Sequence, residues 1–477
     1  MADWMMTQSR VIGGLLASSQ TGAVGVSVTV TVVFGVMLAA MIACIALEEK
    51  LHAKKSLITG VFAVAALLLG EIFGVLPHEV VAMVGSHAVT LPIYIPAIDW
   101  EVIAIIMGAS LFVDVTSKSG IFSWIAIRLT KASRGDPVML LIYYGSLTVV
   151  FSAVLNNVTA MIIVGSLTAV SLQKLGRSDK LIGFLLAEGL LTNVGGLLTL
   201  ISSVPNIIVG NKAGIGFATF FVKAAPFVVV ATVATLWLAR RMFSIHRLSS
   251  DIERQEAADR VGGFDENEGI PSARFFWASA GALLLLIAAL STVSILPYVK
   301  YLGMGFVAVA FAVMMLVTYK HEVDRFYAAL DWDLLGFFAS LFVVINVMEH
   351  AGVLDAVGQA LGALLSLGDK TGSAALLASS AVASSVTDNI PLSAVLAQIL
   401  GHHDPAYASN SPFWWAVIFG ANLGGNLTPI GSASTLVAMT VIHRNGIKLS
   451  FGGFVRKAFP FALIHIVLAV AYVLVVL

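Results

Sequence analysis

Asn193-Val194-Gly195-Gly196-Leu197-Leu198-Thr199 and Asn422-Leu423-Gly424-Gly425-Asn426-Leu427-Thr428 decide how this chain folds. Each sits inside a long apolar run, and each puts a glycine pair and amides where a plain membrane helix would carry leucine. Glycine pairs, followed in the second case by Pro429, break a helix and free backbone carbonyls and N–H groups. The same break used twice points to an internal repeat. Asp99-Trp100-Glu101 returns as Asp331-Trp332-Asp333, and Asn157 returns as Asn389, so 99 maps to 331 and 157 to 389 at one shared offset. Phe221-Val-Lys-Ala-Ala-Pro226 returns as Phe454-Val-Arg-Lys-Ala-Phe-Pro460 with one residue added.

Composition says what surrounds these breaks. Of 477 residues, 58% are apolar and 11% charged, and mean hydropathy is +0.95. A soluble domain has about 25% charged residues, so this is an all-α polytopic membrane protein rather than a soluble enzyme. A net charge of zero implies no nucleic-acid partner. A single cysteine, Cys44, leaves no disulfide or cysteine metal site within the chain. No phosphate-loop motif is present, so transport would be driven by an ion gradient or by a separate ATPase partner. No cofactor and no metal is expected.

Spans of about 20 apolar residues fall near 24–46, 56–76, 101–117, 181–203, 217–239, 275–294, 303–319, 332–349, 411–436 and 452–477. Residues 1–20 make a weak signal peptide. Of the 27 lysines and arginines, all but Arg10, Lys212, Lys223, Lys300 and Lys370 lie on one side when the first span runs inward. By the positive-inside rule that side is cytoplasmic. Two further apolar stretches, 137–173 and 371–401, return to the side they left. They read either as two full spans each or as re-entrant hairpins, and the polar tips Asn156-Asn157 and Asp388-Asn389 favour hairpins. The expected plan is about ten transmembrane helices plus two hairpins. Residues 1–54 hold the first helix, 55–242 the first repeat, 243–273 a solvated cytoplasmic linker, and 274–477 the second repeat. The first Asp-Trp pair lies outside and the second inside, so the repeats are inverted. Inverted repeats with interrupted helices are the architecture of secondary transporters; a channel could share it.

The transport site is expected at the tips and breaks, because carbonyls, amides and hydroxyls suit a cation and half-helix N-termini suit an anion or polar solute. The candidates are Asn156, Asn157, Thr159, Asn193, Gly195, Thr199, Asp388, Asn389, Asn422, Gly424, Asn426, Thr428 and Ser432. Three acids within spans are proton-coupling candidates: Asp388, Glu188 and Asp114, the last with Lys118 as its i,i+4 partner. Residues 118–134 and 350–368 read as amphipathic arms before each hairpin. His402-His403 reads as an exposed turn, and Cys44 lies outside the repeat motifs.

At these motifs the chain resembles the arsenite permease / Na⁺:H⁺ antiporter (ArsB/NhaD) family of the ion transporter superfamily. The resemblance rests on Asn156-Asn157-Val-Thr, Glu188-x-x-x-Thr192-Asn193-Val-Gly-Gly, Pro205-Asn206-Ile-Ile-Val, Asp388-Asn389-Ile390-Pro391 and the run from Asn422 to Ser432, and covers roughly 55–477. It implies a homodimer and an elevator-like transport domain carrying both tips. Many relatives have Asp-Asn at the first tip and a Gly-Asp-Pro-Pro-Asn run where this chain has Asn156-Asn157 and Ser202-Ser203-Val204-Pro205-Asn206. Two carboxylates that could bind Na⁺ are absent, which suits a neutral trihydroxide. The leading expectation is proton-coupled efflux of arsenite or antimonite across a bacterial inner membrane, with both termini periplasmic. The rivals are a Na⁺/H⁺ antiporter and a sodium- or proton-coupled carrier of carboxylates or inorganic anions.

Overall fold

Lipid offers no water to a peptide group, so each span must satisfy its own N–H and C=O as a helix. The computed structural model describes residues 26–477 apart from 78–79, 85–86, 268, 321 and 403–406; the readings for residues 1–20 and His403 fall outside this set. Eight described helices are long and apolar enough to cross a membrane: Val28–Ala46, Lys55–Ile72, Trp100–Ser117, Pro137–Val154, Phe217–Met242, Ala273–Thr292, Trp332–His350 and Phe451–Val475.

The repeat is visible in where helices begin. Helices starting at Trp100, Ile121, Pro137 and Asn157 recur at Trp332, Val353, Asp369 and Asn389, each displaced by 232. The recurring Asp-Trp pair has a local cause. Asp99 caps its helix by accepting from the N–H groups of Glu101 and Val102, and Asp331 caps its own through Leu334. Carboxylate caps at this position stabilise a helix by about 1 kcal/mol. The indoles anchor the same turns, Trp100 donating to the carbonyl of Ile95 and Trp332 to that of Tyr327.

The halves exchange helices. Lys55–Ile72 packs along Trp332–His350, and Gly303–Thr318 packs along Trp100–Ser117. The contact is close because a Cβ on Gly108 would lie 2.5 Å from the backbone of Ala308. Small residues set such helix pairs in membranes, where lipid is as apolar as leucine.

The stretches 137–173 and 371–401 each fold as a helix–turn–helix hairpin, a form that paired spans and re-entrant hairpins share: Pro137–Val154 with Asn157–Lys174, and Asp369–Val386 with Asn389–Gly401. Each turns through two extended residues, Leu155-Asn156 and Thr387-Asp388. Their first arms have 18 residues each, a rise of about 27 Å. The expected single spans 181–203 and 411–436 are each two pieces, Leu181–Gly196 with Val204–Lys212 and Pro412–Gly424 with Ala433–Arg444.

Two features add detail to the all-α plan. Val80–Val84 and His87–Thr90 pair as a short antiparallel ribbon. The segment 243–273 is largely exposed, as a solvated linker would be, yet it seats an apolar edge on the fold. It forms the helix Asp251–Gly262, buries Ile245, Leu248, Ala257, Val261 and Phe264, and gives Glu266 to Lys131 and Arg128. The hydrogen bond from Lys131 leads in holding the Glu266 carboxyl down to about 2.

Gly195 and Gly424 show how tightly the pieces fit. A Cβ would lie 2.6 Å from the carbonyl oxygen of Val149 in the first case and 2.3 Å from that of Ala381 in the second. Gly424→Ala and Gly195→Ala are each expected to cost about 1–3 kcal/mol through overpacking. Gly281→Ala meets nothing within 4 Å and should not destabilise. Thermal unfolding in detergent separates the two outcomes.

Candidate solute and ion site

A broken helix leaves orphan carbonyls at its C-terminal end, and at depth each needs a partner. In the first half Ser152 Oγ donates to the carbonyl of Thr192 at 2.6 Å, and Thr199 Oγ1 to that of Ala153 at 2.5 Å. Ser202 and Asn206 both donate to the carbonyls of Gly196 and Thr199. The second half answers in kind: Ser384 Oγ donates to the carbonyl of Ala421 and Thr428 Oγ1 to that of Ser385, both at 2.6 Å. Each hairpin is thus stitched to the break beside it.

The two breaks then grip one another. Asn193 Nδ2 donates to Asn426 Oδ1 at 2.9 Å, while Asn193 Oδ1 accepts from Ser432, Ser434 and Asn157. Across the pseudo-symmetry, Asn422 Oδ1 accepts from Ser203 at 2.6 Å and its Nδ2 donates to Asn206. Ser203 and Ser432 stand at the N-caps of Val204–Lys212 and Ala433–Arg444, yet neither hydroxyl caps its own helix. Each is spent on the asparagine of the other half.

The first tip is docked on this bundle. Asn157 accepts from Ser152 at 2.7 Å and donates to Asn193 at 3.2 Å. Its amide rests on Gly196, where a Cβ would lie 2.9 Å away. Asn156 is exposed and caps Thr159, whose own side chain makes no hydrogen bond among the described residues. The second tip differs. Asn389 has no hydrogen-bond partner among the described residues, and Asp388 Oδ2 lies 2.5 Å from Lys55 Nζ.

Of the nominated residues, the structure therefore brings together Asn157, Asn193, Asn422, Asn426 and Ser432. Thr199 and Thr428 serve carbonyls, and Gly195 and Gly424 serve packing. Glu188 is fully buried; Oε1 accepts from Thr168 at 2.6 Å and Oε2 has no hydrogen-bond partner among the described residues. Asp114 has Lys118 as its charged neighbour. Below the first tip, Ala153, Val154 and Thr199 face Phe112 and Leu286 across an almost wholly apolar cavity of about 330 Å³.

Two residues escaped the sequence reading. His465, buried in Phe451–Val475, extends the amide chain. Asn426 Nδ2 donates to the carbonyl of Leu190 and faces His465 Nδ1 at 3.2 Å; Thr235 Oγ1 donates to the carbonyl of Ala231 and faces Nε2 at 2.6 Å. These partners assign the imidazole proton to Nε2. The available signal was a lone ionisable side chain in an apolar span. Lys55 was counted only as an inside charge, although it is the first residue of its helix.

The family model described as "citrate transporter" (CitMHS) matches residues 65–420. The chain is 31% identical over 379 residues to an uncharacterized transporter of Mycobacterium tuberculosis, covering 79% of this chain and 86% of that one. A 46 kDa membrane protein of Mycobacterium leprae is 30% identical over 378 residues with the same coverage. Among solved structures, the YdaH transporter of Alcanivorax borkumensis aligns with a TM-score of 0.57 at 14% identity, over 88% of this chain and 98% of that one. MtrF of Neisseria gonorrhoeae aligns equally well over 89% and 95%. At such identities these two establish the likeness of fold.

The chain Asn193–Asn426–His465 is expected to act as a unit. Asn426→Ala leaves buried polar partners unmet and should cost about 1–3 kcal/mol. In a double-mutant cycle with His465→Ala, measured by thermal or denaturant unfolding, a coupling of about 0.5 kcal/mol or more is expected. Thr159→Ala should stay within about 0.5 kcal/mol of the parent.

Proposed function

The chain belongs to the CitMHS family of citrate transporters, and on that premise we propose that this secondary transporter is a proton-coupled carrier of a small carboxylate of the citrate class. The observation that carries the reading is the diversion of Ser203 and Ser432. Both hydroxyls bond to asparagines across the repeat, so the helices Val204–Lys212 and Ala433–Arg444 begin without a side-chain cap. Helix N-termini carry partial positive charge and bare N–H groups, which attract carboxylates. The starts of Asn157–Lys174 and Asn389–Gly401, at the two tips, are by contrast capped by the side chains of Asn156 and Asp388. Broken-helix N-termini aimed at an anionic group are a recurrent transporter device. The solute would enter between the first tip and the bundle, replacing Asn157 on Asn193.

Proton coupling is assigned to Asp388 rather than Glu188. Asp388 is half-buried at a hairpin tip, whereas Glu188 is sealed from solvent. The lysine and arginine distribution supports an inner-membrane orientation with 243–273 on the cytoplasmic side. A second reading, efflux of arsenite as a neutral trihydroxide, draws support from the uncharged amide and hydroxyl lining of Asn193, Asn422, Asn426 and Ser432.

Purified protein in liposomes, with an imposed pH gradient and citrate, arsenite or Na⁺ offered separately, tests the proposal. Citrate movement driven by the gradient is expected. Asn193→Ala should slow it about ten- to a hundredfold, the loss of one or two hydrogen bonds to a charged group. Asp388→Asn should abolish stimulation by the gradient, and Glu188→Gln should retain it. Arsenite movement without citrate movement would replace the carboxylate reading by the arsenite one. Proton-linked Na⁺ exchange without either would make the chain an antiporter.

A further inference from the structure

The second tip carries a charge pair with no counterpart at the first. Asp388 Oδ2 lies 2.5 Å from Lys55 Nζ, and Glu48 Oε1 lies 3.7 Å from the same nitrogen. Lys55 opens the helix Lys55–Ile72, and its neighbour Ser56 donates its N–H to Asp333 Oδ1 at 3.1 Å. In the other half Met304, second residue of Gly303–Thr318, donates its N–H to Glu101 Oε1 at 2.9 Å. Glu101 and Asp333 follow the matched tryptophans, so these contacts are equivalent, and Gly303 stands where Lys55 stands. A side chain is disfavoured there: Gly303 has φ +76°, a backbone conformation that strains any residue with a Cβ. The counterpart of Asp388 is the uncharged Asn156. The repeat thus supplies the scaffold twice and the ion pair once.

A carboxylate held beside an ammonium in a partly buried setting leaves its partner at a cost, because both charges are then less well compensated. A proton delivered from water to the Asp388 carboxylate removes its charge and the attraction with it. Lys55 then needs another anion, and Glu48 is already in place. Burial leads in raising the Glu48 carboxyl above its ordinary value, Lys55 opposes this, and the charges of Asp388 and Asp333 add to it. Neutralising Asp388 removes one of the raising causes, so Glu48 becomes the better anion when Lys55 requires it. The remaining charged neighbour, Asp333, is engaged by the N–H and hydroxyl of Ser56.

Building on the proton-coupled carrier reading, we propose that Lys55 is the counter-ion of the coupling acid Asp388, and that Glu48 takes over Lys55 when protonation of Asp388 frees the second tip. Lys55 and Glu48 are positioning residues in this scheme. They set when the tip can leave, and the proton itself travels on Asp388.

The test uses the full chain with Cys44→Ser, so that Thr387→Cys supplies a single thiol beside the tip. Its modification by a disulfide reagent active at acid pH is timed with Asp388 intact and with Asp388→Asn. At neutral pH the Asn form is expected to react about tenfold faster, a released tip differing from a held one by roughly one decade in population. The ratio should fall towards one on acidification, as the native carboxylate gains its proton. Lys55→Gln should behave as Asp388→Asn does, and Lys55→Arg, which keeps the charge, should restore the slow rate. A ratio near one at neutral pH would overturn the latch, whatever solute the protein carries. In liposomes Glu48→Gln should lower the maximal gradient-driven citrate rate about tenfold with KM unchanged, as for a step that follows binding. An unaltered maximal rate would remove Glu48 from the scheme. If the wild-type chain moves no citrate at all, the carrier reading falls, while the thiol ratio still decides the latch.

Discussion

Everything in this molecule depends on satisfying the backbone where two membrane helices stop short. A carbonyl or N–H left bare at that depth costs several kcal/mol, and the chain breaks helices at both 196–204 and 424–433. Side chains supplied from elsewhere in the fold meet part of this need. Serine hydroxyls of the hairpins reach carbonyls of each interrupted helix, and threonine hydroxyls of the breaks reach carbonyls of the hairpin arms in return, twice with matching geometry. Hairpin and break therefore satisfy one another.

That solution binds the halves together. Asn193 takes hydrogen bonds from Ser432 and Ser434, and Asn422 takes one from Ser203, so neither break is complete without the opposite repeat. The exchange of Lys55–Ile72 and Gly303–Thr318 between halves does the same for the surrounding helices. A polar network that is fully partnered specifies one arrangement. One that includes a tip, as this one includes Asn157, can be opened by moving that tip.

Local features were legible in the amino-acid sequence. The Asp-Trp pairs are helix caps, and capping depends on residues two or three apart. Asn156 and Asp388 read correctly as the ends of hairpin arms for the same reason. Gly195, Gly424, Thr199 and Thr428 were nominated as solute ligands because their spacing marked a break. Their partners, Val149, Ala381, Ala153 and Ser385, lie in the hairpins, dozens of residues away, and nothing in a single sequence pairs them. Lys55 illustrates the same limit. Its partner is 333 residues away, so a count of inside charges registered the lysine and missed the bond. His465 was open to discovery, since an ionisable residue within an apolar span asks for a partner.

The most informative property of the fold is where its symmetry fails. An inverted repeat gives a carrier two related ways to expose one site, and a perfectly symmetric one would give neither direction a different energy. Here the amide bundle, the stitched breaks and the capped helices are nearly matched, whereas the charges are not. The first tip rests on asparagines through neutral hydrogen bonds; the second is held by an ammonium. Neutral contacts of about 1 kcal/mol let a tip open thermally, without regard to pH. A partly buried ion pair makes opening depend on whether the carboxylate holds a proton. On the proposal made above, a pair on one tip only, with a strained glycine, Gly303, at the matching place in the other half, would give coupling to one half of the repeat and solute entry to the other.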